Sequence, residues 1–165
     1  MQRIAEFKKV SFEEFAKSFE NENAREVYDN IKLPVRATSG SAGYDFFAPV
    51  DFELKPGETA KIPTGIRARI DDGWVLKIYP RSGLGFKFRL QLDNTVGIID
   101  ADYYNSDNEG HIFIKVTNCS FDENKVVSVK AGNGFAQGIF LPFGITVDDD
   151  VTDTRNGGFG STDKK

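Results

Sequence analysis

Apolar positions along the chain change their period once, near residue 33. Ahead of that point, residues 4–10 predict a first strand. Ser11-Phe12-Glu13-Glu14 then has the form of a capping box, with Ser11 as N-cap and Glu14 three residues on. Phe12, Phe15, Ala16 and Phe19 share one face at helical spacing. The pattern predicts a helix over 12–20, resuming over 24–28. Such a face packs on a β body, the alternative being a surface for a protein partner. From Leu33 onward, short apolar runs broken by Gly and Pro predict strands over 44–48, 58–63, 66–70, 74–79, 88–92, 95–98, 111–117, 125–129 and 135–142. Asp72-Gly73 is a two-residue hairpin signal, and Pro56-Gly57 has the form of a type II turn. Many short strands at close spacing indicate a sandwich, jelly roll or small barrel. The segment 152–165 is glycine-rich and polar, and is expected to be mobile until a ligand or partner orders it.

Composition narrows the chemistry. A length of 165 residues suits one domain with a real core, and the 15 Phe supply large side chains to fill it. A net charge of −4 argues against non-specific nucleic-acid binding, which needs a basic surface. A polyanionic ligand would have to be held by a few placed cations, backbone amides or a metal ion. The single cysteine, Cys119, excludes an intrachain disulfide and a Cys-based zinc site. No apolar stretch is long enough for a membrane span, and charges interrupt the N-terminus where a signal peptide would need an apolar core. The expectation is a cytoplasmic protein. With His111 the only histidine, proton transfer falls to a carboxylate, and His111 reads as a core or surface residue.

Five segments could carry chemistry. Ala42-Gly43-Tyr44-Asp45 precedes an apolar run; its plain reading is a turn with Asp45 accepting backbone amides. Tyr79-Pro80-Arg81-Ser82-Gly83-Leu84-Gly85 ends a strand and offers a cation, a hydroxyl and loop amides, a set suited to phosphate oxygens or to an ordinary loop. In the run from Asn94 to Tyr103, a β-branched stretch leads into Asp100 and Asp102 past Gly97, which lets something approach the backbone. Those acids either cap turns or orient a water, and Tyr103 could stack on a sugar. Gly132-Asn133-Gly134-Phe135-Ala136-Gln137 puts an amide inside an apolar strand, where it needs partners. Arg155-Asn156-Gly157-Gly158-Phe159-Gly160-Ser161-Thr162 joins a cation, glycines, an aromatic and hydroxyls, the make-up of a lid over a ring and its phosphates.

Taken in order, AGYD, PRSGLG, NTVGIIDADY, GNGFAQ and RNGGFGST resemble the five ordered motifs of the trimeric dUTPase family, across residues 33–165. The resemblance implies an all-β, distorted jelly-roll or β-barrel fold of the dUTPase type. It implies a homotrimer with shared active sites, here with an added N-terminal helix. It implies a strand and helix extension over 1–32, a β domain over 33–151 and a C-terminal lid over 152–165. The implied activity is that of a dUTP diphosphatase: dUTP is hydrolysed to dUMP and pyrophosphate with Mg²⁺, by water attack on the α-phosphate. That keeps uracil out of DNA and supplies dUMP for thymidylate synthesis. By the same resemblance Asp100 is the general base. Tyr103 lies under the deoxyribose and leaves no room for a 2′-hydroxyl. Asn94, Gly97 and Ile99 read the uracil edge. Arg81, Ser82 and Gly83 hold phosphates from a neighbouring subunit, and Gln137 touches the α-phosphate region. Asp45 meets the Mg²⁺ through water, and Asp102 orients Arg81. Phe159 covers the uracil, while Arg155, Ser161 and Thr162 take the γ-phosphate. Gly134 stands where the family usually has a basic residue. Two other readings remain: a dCTP deaminase-like enzyme of the same fold, and a non-catalytic nucleotide-sensing or protein-binding module.

Overall fold

The computed structural model describes residues 2–19, 23–153 and 155. In chain order its elements are β1 (Ala5–Lys9), α1 (Phe12–Ala16), α2 (Ala24–Asp29), β2 (Val35–Arg36), β3 (Tyr44–Phe47), β4 (Phe52–Leu54), β5 (Thr59–Pro63), β6 (Ile66–Ile70), β7 (Trp74–Pro80), α3 (Ser82–Phe88), β8 (Leu90–Leu92), β9 (Gly97–Ile99), a 3-10 turn (Ala101–Asn105), β10 (Phe113–Asn118), β11 (Val127–Val129) and β12 (Gly134–Pro142). The chain is mostly β with few and short helices. Among the described residues the strands form four antiparallel sheets, ordered β1-β6, β5-β10-β8, β11-β4 and β2-β3-β12-β7-β9, and no single ladder closes into a barrel.

Alternation drives the burial. In β6, Ile66, Ala68 and Ile70 point inward while Arg67 and Arg69 face out. In β10, Ile114, Val116 and Asn118 do the same. Phe15, Phe46, Leu76, Ile78 and Phe135 make the centre, none more than 1% exposed. Only part of the phenylalanine stock fills this core, Phe86, Phe121 and Phe143 being exposed; the core includes the N-terminal segment, since β1 pairs with β6 and Phe15 of α1 is wholly buried.

Several sequence expectations change in detail. The first helix stops at Ala16. Ser18 N–H returns to Phe15 O and Phe19 N–H to Ala16 O, so the next turn tightens and brings Phe19 to stack on Phe15 at 5.4 Å. The expected end at Glu20 lies outside the described residues. The capping box is half made: Ser11 Oγ accepts from Glu14 N–H, but Ser11 N–H donates to Glu109 of a distant loop instead of to Glu14. The Asp72-Gly73 turn forms but joins strands of different sheets, so it is not a two-stranded hairpin. The strand expected over 88–92 is shortened to β8 because α3 takes up 82–88, where a loop was expected. β2 and β4 were not anticipated.

Candidate functional site

The described site residues fall into two groups. The first gathers where β3, β7 and β12 lie side by side. Register pairs Gln137 with Asp45 on one neighbour and with Tyr79 on the other, and Ala136 with Pro80. The sheet thereby puts Asp45, Gln137 and the start of the 81–83 segment together. Gln137 Nε2 donates to Pro80 O at 3.4 Å, which answers the partner question posed by an amide on this strand. Arg81 Nε lies 3.3 Å from Asp45 Oδ1, and its Nη1 donates to Gly134 O at 3.4 Å. A Cβ at Gly134 would sit 2.9 Å from Arg81 Nη1. Arg81 thus occupies the room that a side chain at 134 would need, and supplies the positive charge there. Ser82 and Gly83 open α3, and the Leu84 and Gly85 N–H groups close back on Arg81 O. The N–H groups of Ser82 and Gly83 precede the first such bond and have no intrahelical acceptor. These residues, with Lys87 and Asn133, line a cavity of about 470 Å³.

The second group sits on β9 and the 3-10 turn. The loop 93–96 joins strands of different sheets: β8 pairs with β10 and β9 with β7. Its tip carries Asn94, exposed, and Thr95 at φ 65. Asp93 anchors the tip, accepting from Thr117 Oγ1 and from Lys115 Nζ at 2.9 Å. Those two donors hold its carboxyl below the usual carboxylate range. Gly97 is crowded: a Cβ there would lie 3.1 Å from Ile78 Cβ on β7, tighter than an ordinary contact. Ile99 is buried and Asp100 follows it in extended conformation, without capping the turn that it precedes.

Asp100 Oδ2 is 2.8 Å from Arg155 Nη2, and Asp102 Oδ1 is 3.2 Å from Arg155 Nε. The partner expected for Asp102 was Arg81; its neighbour here is Arg155. The Arg155 guanidinium also lies over the Tyr103 ring, 5.7 Å from its centroid. Tyr103 is buried, which pushes its phenol up. Its hydroxyl donates to His111 O at 2.7 Å and accepts from Asn108 Nδ2 at 2.8 Å. Gly110, at φ 71, closes this loop against the turn: a Cβ there would be 2.7 Å from Tyr103 O. Gly110→Ala is therefore expected to cost about 2–3 kcal/mol by strain and clash, read as a lowered urea midpoint. Phe159, Ser161 and Thr162 lie outside the described residues. The Thr117–Asp93–Lys115 anchor and the loop under Tyr103 were not foreseen from sequence. Their partners are 22 and more positions apart in one case, and buried within a polar turn in the other, so neither makes a local pattern.

The two groups stand apart within one chain. Ile99 is opposite Leu76, so Asp100 lies near the Val75 end of β7, whereas Arg81 follows its other end. Six strand positions span roughly 20 Å.

Comparison with known proteins shows the family. A family model described as dUTPase matches residues 29–163. A deoxyuridine 5′-triphosphate nucleotidohydrolase of Lactococcus lactis is 44% identical over 135 residues, covering 80% of this chain and 88% of the relative. One from Actinobacillus succinogenes is 42% identical over 141 residues, covering 81% and 88%. In fold, the dUTPase from Streptococcus mutans superposes with a TM-score of 0.64 at 34% identity, covering 87% of this chain and 98% of the other.

Proposed function

The chain belongs to the dUTPase family and hydrolyses dUTP to dUMP and pyrophosphate, and from that premise we propose how its residues divide the work. Asp100 is the general base that orients the attacking water at the α-phosphate. It caps no turn, and its carboxylate is half-exposed and paired with Arg155. Tyr103 supports the deoxyribose. Asn94 and the backbone at Gly97 and Ile99 read the uracil edge, on a tip that Asp93 holds still. Uracil and thymine differ by one methyl, worth only ~1–3 kcal/mol by attraction, so a rigid tip that clashes with the methyl is the better discriminator. Arg81, Ser82, Gly83 and Gln137 take phosphate oxygens. The 152–165 segment acts as the lid on the 33–151 body, with Arg155, Phe159, Ser161 and Thr162 as its contacts and 1–32 as an extension of the body. Arg155 reaches the Tyr103 ring and Asp100, which places the start of the lid beside the general base.

Mg²⁺ suits the donor set. Asp45 presents one carboxylate that is 21% exposed beside Arg81, and among the described residues no three His, Cys, Asp or Glu side chains converge. That set fits an ion that keeps its waters and arrives on the triphosphate. When bound it would offset phosphate charge; Asp45 would hold its hydration shell. A phage dUTPase of the same fold, 21% identical with a TM-score of 0.64, carries a structural Mg(II) ion.

We place the reaction in a homotrimer of distorted jelly-roll subunits, in the cytoplasm. The observation that carries the assembly is the roughly 20 Å between Asp100 and Arg81 along β7, too far for both to serve one α-phosphate. A second copy must bring the 81–83 segment to Asp100. Leu141, Phe143 and Ile145 are exposed apolar residues along and just beyond the end of β12, a patch that a second copy could cover. Mixing tests the sharing. Asp100→Asn and Arg81→Ala are each expected to be inactive alone. Remixed in equal amounts after dissociation, they should regain roughly a quarter of wild-type pyrophosphate release, the random share of intact sites. No recovery from folded, exchanged trimers would place both residues in one subunit's site. The deaminase reading is not favoured, since the named relatives are nucleotidohydrolases. The phenylalanine face considered for a protein partner is largely packed, with Phe15 fully buried.

A further inference from the structure

We propose that Asn108 is a positioning residue for sugar selectivity: by fixing the Tyr103 hydroxyl it sets the ring that meets the 2′ position of the nucleotide. The proposal rests on the reading of Tyr103 as the support of the deoxyribose. Its own warrant is a hydrogen-bond chain in which every direction is forced. Gly110 N–H can only donate, so the oxygen of the Asn108 amide faces it, at 3.2 Å. Nδ2 is then the group that faces Tyr103, 2.8 Å from the phenol oxygen. The carbonyl of His111 can only accept, so the Tyr103 proton points to it, at 2.7 Å. The phenol oxygen therefore gives one bond and takes one, and Asn108 Nδ2 also reaches His111 O at 3.5 Å, so the three groups close on one another at the far end of the ring.

Asn108 is itself held. Its backbone carbonyl accepts from His111 N–H at 3.0 Å. The next residue, Glu109 at φ 56, accepts from Ser11 N–H at 2.8 Å and Ser11 Oγ at 2.6 Å. The loop is thus tied to the start of α1 through the Glu109 carboxylate, one residue along the backbone from Asn108. Discrimination between a 2′-hydrogen and a 2′-hydroxyl is steric and falls off within a fraction of an ångström, so a ring free to tilt loses it first.

The substitution that isolates this role is Asn108→Asp. It keeps shape and keeps the acceptor for Gly110, but it cannot donate to Tyr103. The phenol then faces two acceptors with one proton, so one of its two bonds is lost and the ring is held less firmly. The measurement is kcat/KM for dUTP and for UTP with Asn108→Asp, Asn108→Ala, Tyr103→Phe, the Asn108→Asp/Tyr103→Phe double variant and Tyr103→Leu, each checked as a folded trimer. The dUTP-to-UTP ratio is expected to fall about five- to tenfold in both Asn108 variants, the fold-change of one hydrogen bond. Tyr103→Phe should lower it similarly, and the double variant should fall no further, because the bond is already gone. General loosening would lower both nucleotides together and leave the ratio unmoved, and that result overturns the proposal. An unchanged ratio in the Asn108 variants beside a lowered ratio in Tyr103→Leu overturns Asn108 alone and keeps Tyr103 at the sugar. An unchanged ratio in Tyr103→Leu as well overturns both.

Discussion

Asp100→Asn is expected to lower kcat for dUTP by about 10²–10⁴, the usual contribution of a positioned general base, with nucleotide affinity and fold retained. The structure separates those effects. Asp100 caps nothing, its side chain is 46% exposed, and its ion-pair partner is Arg155. No buried hydrogen bond is lost, so melting temperature should move little. The chemistry depends on the carboxylate: an amide of the same shape can still contact a water but cannot take its proton. The decisive comparison is single-turnover pyrophosphate release beside binding of a non-hydrolysable dUTP analogue. A variant that binds as wild type and turns over at a tenth of its rate or faster would remove Asp100 from the role. Asp102, the other carboxylate on Arg155, would then be the next candidate.

The fold was legible wherever burial is one-sided. β5, β6 and the ends of β12 follow from alternation and turn residues, since a strand with one face inside must alternate. What stayed hidden depends on long-range contact. Nothing local says that 82–88 winds into a helix: Gly83 and Gly85 oppose it, and it is held by Leu84 and Phe88 packing on the core. Nothing local says that 90–92 and 97–99, four residues apart, join different sheets, because turn residues fix direction and not partner. The candidate residues were found as types in order, but their grouping was not. That Arg81 meets Asp45, and Asp102 meets Arg155, follows from register along β12 and from where the chain passes near Arg155, neither of which a motif encodes.

Stability of the protein is expected to fall by about 3 kcal/mol between pH 6.5 and 4 through His111 alone. This residue sits behind the site. It is fully buried, its Nε2 accepts from Gly65 N–H at 2.9 Å, and its carbonyl holds Tyr103. Since Nε2 accepts, the proton is on Nδ1, and among the described residues Nδ1 has no hydrogen-bond partner; Glu14 Oε1 is 3.9 Å away. Phe113 lies against the ring at 4.3 Å. Burial pushes its pKa down from 6.5 to about 4, with Glu109 opposing and Lys61 assisting. A depressed folded-state pKa means that the unfolded chain takes the proton first. The stabilisation is complete above pH 6.5 and is lost as pH falls toward 4. The depressed carboxyls Asp93, Glu109, Asp51 and Asp148 act in the same direction but only from the ordinary carboxylate range downward, so the upper part of the window belongs to the imidazole. His111→Gln keeps an acceptor for Gly65 but does not titrate. Urea denaturation at pH 7, 6, 5 and 4.5 should show a wild-type slope that the variant lacks. Equal slopes in both would mean that His111 is protonated in the folded chain, and the Gly65 bond would then have to be absent in solution.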